Sequence, residues 1–503
     1  MWFLHDPVED DPRHTWEDYR TNYIRTLVAS LLQPEVCHYE VAPWPSRVML
    51  GRFPQGRPNA RGISPDYATM LQVVFNQLRD MDQKQIDWGG ASEGVGVLLS
   101  DSAMFQRAEP AFSAGTVDQP DDPTRPTKSE VHRLSGFFGL AIPLVKHGIP
   151  VRPVQLDNLV RIPGYLAAVQ QQLPLSPRGQ SHFRRTKIGT VPNLFLDGRL
   201  DRLRVLLLSY EFMKPLQPAI HQALAEWVNN GGTLIYVGAD TDPFRQVCEW
   251  WNRPPVAYAA PSEHLFERLG VGRKPKQSEY HIGKGLLLVE RKHPAWFSRS
   301  AEGSDRLLQL VRRGMKAAGS SLVERNCLQL RRGPYLIAAV MDEFGPGTGS
   351  FFGPARTEKC ACPLMAEVGL AKNGTVPFGG ALHLHGRMID LLDARLPVRD
   401  EVVIPPGRQA WLLDLDRVTA KAPAMLAAAG RVETWSPSSN SVRYTITSPE
   451  GIHVVARVLL PSPPKTVAVD GMPCTSYQWD EPSKTVLLAH RGHPKPVEVV
   501  VAW

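Results

Sequence analysis

Apolar residues recur at helical spacing close to the start of the chain. After Thr15 comes a series in which each member lies four residues beyond the last: Tyr19, Tyr23, Leu27 and Leu31. That spacing places the four side chains on one face of a helix. A threonine hydroxyl at the preceding position can cap the first turn. The pattern predicts an amphipathic helix that begins just after Thr15.

A short strand and a second helix are predicted next. The short run from Val36 to Val41 predicts a strand, and the residues Ala42-Pro43-Trp44-Pro45 end it. Ser64 and Pro65 suit the N-cap and the first position of a helix, which continues with apolar residues from Leu71. Alternation of strand and helix is typical of an α/β barrel or a doubly wound sheet.

The clearest pattern of the middle region covers residues 203–238. An apolar strand from Leu203 to Leu208 precedes an amphipathic helix, Gly231-Gly232 ends that helix, and a second strand runs from Thr233 to Val237. This order predicts a βαβ unit. Further elements are predicted around it: a strand after Gly94, a helix and short strand within 137–155, a strand at 285–290 and a helix at 304–317.

Beyond about residue 320 the helical spacing gives way to short apolar runs separated by turn residues. The predicted strands are CLQLRR, PYLIAAVMD, EVVIPPG, QAWLLDLD, VRYTITS, IHVVARVLL, KTVAVDG, KTVLLAH and VEVVVAW. Such a series is typical of one or two β-sandwich modules. A chain of 503 residues is long enough for about three domains, and we expect divisions near residues 90 and 318.

Charge and composition narrow the function classes. The formal charge of +7 comes from 57 basic and 50 acidic residues that are spread along the chain, which favours scattered surface charge over a polyanion partner. We therefore expect no nucleic-acid partner. No apolar run reaches the roughly 18 to 20 residues of a membrane helix, and residues 1–15 lack a signal-peptide pattern. We expect a cytoplasmic protein with no membrane partner.

The cysteines give little sign of a metal site or a disulfide framework. Six are present, and no Cys-x-x-Cys pair occurs, so reduced thiols are expected. Cys360 and Cys362 could contribute to a metal site, yet no second pair stands nearby. No Gly-rich loop that would cradle a phosphate follows a predicted strand. We expect neither a metal nor another cofactor.

The residues that best suit catalysis lie at the end of the strand before Ala42. Glu40 is a carboxylate at a strand end, the position at which barrel enzymes hold catalytic groups. Tyr39 and Trp44 suit the C–H faces of a sugar ring, and His38 completes the cluster. The alternative is a structural glutamate paired with a cation such as Arg47. Glu35, on the loop side, is the weaker candidate for catalysis.

Three stretches resemble family 42 type β-galactosidases: residues 16–44, LLLSYEFMKP with the helix and GGTLIYVG after it, and the strand at 283–290. The resemblance implies a (β/α)8 barrel, then a flavodoxin-like domain often used for trimer formation, then a small β domain. Residues 1–90 would then be the last strands and helices of a truncated barrel. Residues 91–318 would form a flavodoxin-like, class I amidotransferase-like domain, and residues 319–503 a β-sandwich region.

The same resemblance implies retaining cleavage of terminal glycosidic bonds, with Glu40 as the nucleophile and His38, Tyr39 and Trp44 around the sugar. A retaining site needs a second carboxyl group about 5 to 5.5 Å away, and the family's Asn-Glu acid/base is not found in this chain. A full barrel takes about 250 residues, so we expect an inactive fragment unless a partner completes it. The alternative is a non-catalytic, carbohydrate-contacting protein that assembles as a dimer or trimer.

The predicted second domain offers weaker candidates. Ser209 follows a strand where amidotransferase-like proteins hold a cysteine nucleophile, although a structural serine is the favoured interpretation. Asp240, Asp242 and the pair Trp250-Trp251 could border a sugar site or a subunit interface. Buried packing is the more frequent role of paired tryptophans.

Overall fold

A computed structural model describes residues 2–8, 12–103, 136–161, 203–242, 244, 247–342 and 380–503 of the chain. The pair Cys360 and Cys362 lies outside the described residues.

The chain divides into two compact units, each built from separate stretches of sequence. Unit 1 comprises Met1–Gly89, Gln329–Val340 and Ala381–Trp503, and unit 2 comprises Gly90–Leu328 and Met341–Gly380. Each unit is described by itself. The three-domain division expected from the sequence stays a prediction.

The helices of the described residues have these bounds: α1 Trp16–Leu31, α2 Pro45–Met49, α3 Pro65–Gln77, α4 Phe137–Lys146, α5 Asn158–Arg161, α6 Ala219–Asn229, α7 Pro261–Arg268, α8 Pro294–Arg299 and α9 Ala301–Ala317. Two 3₁₀ turns cover Leu78–Asp80 and Leu415–Arg417. No helix within the described ranges has both the length and the apolar character needed to cross a membrane.

The strands, in chain order, are β1 Trp2–His5, β2 His38–Val41, β3 Ile86–Asp87, β4 Val95–Leu99, β5 Val151–Gln155, β6 Val205–Leu208, β7 Thr233–Val237, β8 Glu279–Ile282, β9 Gly285–Glu290, β10 Cys327–Arg332, β11 Tyr335–Val340, β12 Leu382–Asp390, β13 Val398–Ile404, β14 Gln409–Asp414, β15 Ala424–Ala428, β16 Arg431–Pro437, β17 Ser441–Thr447, β18 His453–Leu459, β19 Thr466–Val469, β20 Met472–Pro473, β21 Tyr477–Asp480, β22 Thr485–Arg491 and β23 Val497–Ala502. The fold is therefore mixed α/β, with several sheets and a β-rich C-terminal region.

The N-terminal part of unit 1 contains the helix predicted after Thr15. The Thr15 hydroxyl accepts from the backbone N–H of Asp18, and the Asp18 carboxylate accepts from the backbone N–H of Thr15, so the two residues form a capping box. The face that carries Tyr19 and Leu27 is buried. Strands β1 and β2 pair in parallel as a two-stranded sheet. In the described ranges of the chain no closed barrel is present.

The rest of unit 1 is built from antiparallel sheets. One has the order β13-β12-β14-β11-β10-β3. Two further sheets, β15-β18-β22-β21 and β16-β17-β23-β19-β20, share a single hydrophobic core. Alternate side chains of their strands enter that core, for example Val442, Tyr444 and Ile446 of β17. Alternation of this kind is what two antiparallel sheets packed face to face require.

Unit 2 is built on a parallel sheet with the order β5-β4-β6-β7-β9, to which β8 adds an antiparallel edge. The predicted βαβ unit is confirmed, because β6 and β7 pair in parallel from Val205 opposite Thr233 and α6 connects them. The five residues of β7 are all buried, as expected for a strand covered on both faces. Gly285 begins β9 where a Cβ would lie 2.0 Å from the carbonyl oxygen of Val228, so a larger residue would not fit.

Candidate functional site

Strand β2 positions the residues for which the sequence predicted a sugar site. His38 and Glu40 are exposed, whereas Tyr39 and Val41 are half-buried. This alternation follows from the two-residue repeat of a strand, which sends successive side chains to opposite faces. Trp44 lies beyond the end of the strand and is 57% exposed.

A groove of about 870 Å³ in unit 1 is lined by His38 and Tyr39, together with residues from helix α3 and from the C-terminal sheets. Glu40 is not one of its lining residues. Trp44 lines a separate, shallower depression of about 490 Å³ with Arg47 and Leu50. The structure thus brings His38 and Tyr39 together in one groove and leaves Glu40 and Trp44 outside it. The catalytic role of Glu40 stays a prediction.

Asn76, near the end of α3, holds the two walls of the groove together. Its amide nitrogen Nδ2 donates to the carbonyl oxygens of Ala428 at 3.0 Å and Gly430 at 2.7 Å. The next residue, Arg431, begins β16 and lines the groove, and Arg79 lines it just after α3 ends. Side chains far apart in the sequence therefore face the same space.

A buried guanidinium lies behind Tyr39. Arg332 has no exposed surface. It donates to the carbonyl oxygens of Leu31 at 3.1 Å and Val36 at 2.9 Å and to that of Met81. Its Nη1 is 3.5 Å from the Tyr39 hydroxyl. Burial raises the pKa of that hydroxyl, against a smaller lowering by Arg332. Arg332 fixes the position of Tyr39 through shared neighbours, because the Tyr39 hydroxyl donates to Val36 as well.

Arg47 is the cation that the sequence offered as a structural partner for Glu40. Arg47 forms an ion pair with Asp6, in which Arg47 Nη1 lies 3.7 Å from Asp6 Oδ2. Cys37 and His38 both line the groove, and Cys37 Sγ is 3.2 Å from His38 Nδ1.

A second group of polar residues lies at the carboxyl end of the parallel sheet in unit 2. Glu211 follows β6, and its carboxylate accepts from the backbone N–H groups of Thr241 at 3.3 Å and Asp242 at 3.2 Å. Burial, and then the negative charges of Asp242 and Asp240, raise the pKa of Glu211 to about 7. Carboxyl ends of parallel strands are the usual place for ligand sites in such sheets.

The charges around Glu211 are extensively paired. Lys214 Nζ donates to Asp242 Oδ2 at 2.7 Å and to the carbonyl oxygen of Tyr210 at 2.6 Å. Asp240 accepts from the Tyr236 hydroxyl at 2.5 Å, and its other oxygen accepts from Ser262 and from Arg291. This degree of pairing is typical of a structural network.

Ser209 and the tryptophan pair fit the same structural interpretation. Ser209 is buried, and its hydroxyl oxygen accepts from the backbone N–H of Glu211 at 3.2 Å. Trp251 is buried, while the indole N–H of Trp250 donates to the carbonyl oxygen of Pro215 at 2.9 Å.

A chain of hydrogen bonds that the sequence did not predict runs through unit 2 from Arg268 to Tyr210. Arg268 Nε donates to His264 Nε2 at 3.2 Å, so that ring nitrogen carries no proton. The proton of neutral His264 is then on Nδ1, which donates to His221 Nδ1 at 2.7 Å. His221 therefore holds its proton on Nε2, 2.7 Å from the Tyr210 hydroxyl oxygen. Both imidazoles are neutral in this arrangement.

One signal in the sequence pointed toward the polar group of unit 2. Ser209, Glu211, Asp240 and Asp242 each follow a predicted parallel strand, and the ends of such strands meet at one edge of the sheet. No comparable signal existed for His221 and His264, which lie on helices α6 and α7 among apolar neighbours. Within the described residues, no group of three or more histidine, cysteine, aspartate or glutamate side chains is arranged to hold a metal ion.

Comparison with known proteins identifies no family. No protein-family model matches the chain, and no curated protein matches it. Among solved structures, a rhamnosidase from Novosphingobium sp. PP1Y is similar at 10% identity and a TM-score of 0.29, over 96% of this chain and 42% of that one. A GH31 dextranase from Flavobacterium johnsoniae, complexed with glucose, is similar at 9% identity and a TM-score of 0.18, over 56% of this chain and 41% of that one.

Both of these solved structures are of glycoside hydrolases, and this chain spans less than half the length of each. TM-scores this low carry no argument about the activity of the chain. The function proposed for the chain therefore rests on its own residues.

Proposed function

We propose that this chain is part of a glycoside hydrolase of the family 42 type, which cleaves terminal glycosidic bonds with retention. The observation that carries the proposal is the placement of β2, a parallel strand that presents Glu40 to solvent at its carboxyl end. On the same strand His38 and Tyr39 line a groove large enough for a sugar.

Glu40 has the role of nucleophile in this proposal. A retaining mechanism requires an exposed carboxylate that attacks the anomeric carbon and a second carboxyl group that protonates the leaving oxygen. Glu40 meets the first requirement by its exposure. The second carboxyl group would come from sequence outside this chain or from a partner chain.

Two features of the fold support the assignment to the family 42 type. The five parallel strands of unit 2 have the order that is written 2-1-3-4-5 when they are numbered along the chain, which is the order of flavodoxin-like sheets. Strands β1 and β2 pair in parallel and are separated by α1, which is the arrangement of neighbouring strands in a (β/α)8 barrel. On this proposal residues 1–90 are the end of a (β/α)8 barrel.

A second function is favoured by exposed apolar side chains. Trp44 is 57% exposed and Leu50 is 80% exposed, and both line the depression beside α2. In unit 2, Leu216 and Val247 are 53% and 46% exposed. Clusters of exposed apolar residues mark interaction surfaces. The alternative is therefore a non-catalytic protein that contacts carbohydrate and forms a dimer or trimer through its flavodoxin-like domain.

Hydrolysis of a panel of aryl glycosides tests the proposal. The purified chain, its Glu40→Gln variant and a chain extended upstream are compared. Glu17→Gln is the matched control, because Glu17 is exposed like Glu40 but lies on α1 and not at the end of β2. Removal of a glycosidase nucleophile should lower the rate at least about a thousandfold, whereas the control variant should keep full activity.

The outcomes separate the two functions. Activity that disappears only in Glu40→Gln supports the nucleophile, and activity confined to the extended chain shows that this sequence supplies part of a longer site. If no form cleaves any glycoside while light scattering shows a stable dimer or trimer, the hydrolase proposal fails and the assembly function takes its place.

A further inference from the structure

Two arginines of the groove in unit 1 carry charge that is not neutralised by an ion pair. Arg79 lies in the turn Leu78–Asp80, Arg431 is the first residue of β16, and both line the groove. Both side chains are exposed. Over the part of the chain that the structure describes, neither forms a salt bridge with a carboxylate. Two guanidinium groups therefore face the groove and are available to a ligand.

The charges of the other lining residues do not cancel this excess. Asp82 is a lining residue, but Lys84 Nζ lies 2.9 Å from its carboxylate and offsets its charge. Behind Tyr39 the guanidinium of Arg332 is hydrogen-bonded to carbonyl oxygens. Positive charge at a concave surface favours an anionic ligand over a neutral one.

The uncharged lining residues suit a sugar ring more than a bare anion. Tyr39 and Phe75 are aromatic lining residues. The hydroxyl groups of Thr447 and Ser448 donate to Glu433 and to the carbonyl oxygen of Pro449, so their oxygens serve a ligand as acceptors only. Aromatic faces that pack on the C–H groups of a ring, together with a few hydrogen-bonding groups, are typical of small-molecule sites. The volume of about 870 Å³ lies within the usual range of about 300 to 1,000 Å³ for such sites.

The positions of the two arginines are set by contacts within unit 1. Asn76 donates to the carbonyl oxygen of Gly430 at 2.7 Å, which brings the start of β16 against the end of α3. Gly430 leaves little room for movement, because a Cβ there would lie 2.8 Å from the carbonyl oxygen of Thr447. The segments that carry Arg79 and Arg431 are therefore joined by a hydrogen bond, and both residues line one groove.

From these observations we propose that the groove binds a carbohydrate bearing a carboxylate, of the uronate class, with Arg79 and Arg431 on the carboxylate and Tyr39 and Phe75 beside the ring. Guanidinium groups match the planar geometry of a carboxylate and bind it through paired hydrogen bonds. The inference rests on the proposed carbohydrate function and specifies as acidic the class of carbohydrate that the groove binds; Glu40 does not line the groove.

Calorimetric titration of the purified chain with D-galacturonate, D-galactose and inorganic phosphate tests the inference. Galacturonate is expected to bind at least about tenfold more tightly than galactose, because the neutral sugar lacks the charge-assisted hydrogen bonds. Arg79→Gln and Arg431→Gln should each weaken galacturonate binding by about tenfold or more. Arg25→Gln is the matched control, since Arg25 is exposed on α1 and does not line the groove.

Each outcome decides between distinct possibilities. Equal binding of galactose and galacturonate, unaffected by the arginine variants, overturns the acidic substrate class and leaves the hydrolase proposal standing. Phosphate that binds as tightly as galacturonate shows an oxyanion site without sugar recognition, and the absence of any binding also overturns the inference. Galacturonate binding that requires both arginines, in a chain that cleaves no glycoside even when extended, supports the inference while the hydrolase proposal fails.

Discussion

The imidazole rings of His221 and His264 meet nitrogen to nitrogen, with 2.7 Å between their Nδ1 atoms. One proton lies between the two nitrogens, so the contact is a hydrogen bond only while at least one ring is neutral. Burial lowers the pKa of both histidines, and the positive charge of Arg268 lowers each of them further. The pair joins α6 to α7 beside the apolar core that the two helices share.

Acid is expected to weaken this part of unit 2. Both folded-state pKa values lie below 6.5, so below pH 6.5 the unfolded chain binds more protons at these sites and stability falls as pH falls. The protection factors of amides in α6 and α7, which correct for the slower intrinsic exchange at lower pH, should fall between pH 7 and pH 5. In the double variant His221→Leu/His264→Leu the change with pH should be smaller. An equal change in the variant would show that other groups cause the effect.

His5 is expected to give unit 1 a similar dependence on pH. It has no exposed surface, its Nε2 is 3.0 Å from the Ser30 hydroxyl, and burial lowers its pKa to about 4. The stabilising contribution is complete above pH 6.5 and is lost as pH falls toward 4. The loss amounts to about 3 kcal/mol at most, since each unit of pKa corresponds to about 1.4 kcal/mol.

Urea unfolding of the chain at pH 7 and pH 5 measures this loss. His5→Asn should show a smaller difference between the two pH values, and His453→Asn, at an exposed histidine of β18, should match the unchanged chain. Identical pH dependence in His5→Asn and the unchanged chain would contradict the assignment to His5.

Local signals in the sequence were enough to predict several elements. Helix α1 is marked by Thr15 and by apolar residues at a four-residue spacing, and the structure shows the capping box and the buried face that this predicts. The βαβ unit of 203–238 is marked by two continuous apolar runs, which parallel strands require. By contrast β15, with the sequence AMLAA, and β16, with RVETWSP, lack a strand pattern and form through pairing with β18 and β17.

The groove could not be predicted from the sequence because it depends on contacts between residues far apart in the chain. Asn76 and Gly430 are 354 positions apart, and nothing local in either segment indicates that they meet. The strand with His38 and Tyr39 was predicted, whereas Arg79 and Arg431 were not identified as candidates. The sequence also predicted that Glu40 and Trp44 belong to one cluster. Glu40 precedes Pro43 and Trp44 follows it, and neither residue lines the groove.

Lys214 is expected to be essential for the stability of unit 2. It and Asp242 are both buried and lie 2.7 Å apart, and Glu211 depends on the backbone of the same loop. Lys214→Met leaves the Asp242 carboxylate without its cation, and breaking a buried pair in this way costs about 3 to 5 kcal/mol. Urea unfolding followed by tryptophan fluorescence measures the cost.

An exposed pair of the same chemistry provides the control. Lys84 lies 2.9 Å from Asp82 with both side chains exposed, so Lys84→Met should change the free energy of unfolding by less than about 1 kcal/mol. The double variant Lys214→Met/Asp242→Asn should recover part of the loss, because it removes the unpaired charge. Equal effects of Lys214→Met and Lys84→Met would show that burial of the Lys214 pair has no energetic consequence.

Arg332 provides a test of how the groove is supported from behind. Its guanidinium donates to the carbonyl oxygens of Leu31, Val36 and Met81, which belong to three separate segments of unit 1. Arg332→Met leaves these acceptors unpaired, and each unpaired buried group costs about 1 to 3 kcal/mol. Removal of a buried charge offsets part of that cost, so the expected net loss in urea unfolding is about 3 kcal/mol.

Arg332→Lys distinguishes the geometry of the guanidinium from its charge. A lysine ammonium keeps the charge but is a single point of donation, whereas the guanidinium presents its donors in a planar fork that reaches carbonyl groups on different segments. We therefore expect Arg332→Lys to recover less than half of the stability lost in Arg332→Met. Full recovery would mean that charge alone stabilises this region. The lysine variant lacks the planar guanidinium that binds the carbonyl oxygen of Val36. Full recovery would therefore also mean that Tyr39 is positioned in the groove by its own hydrogen bond to Val36 at 2.8 Å.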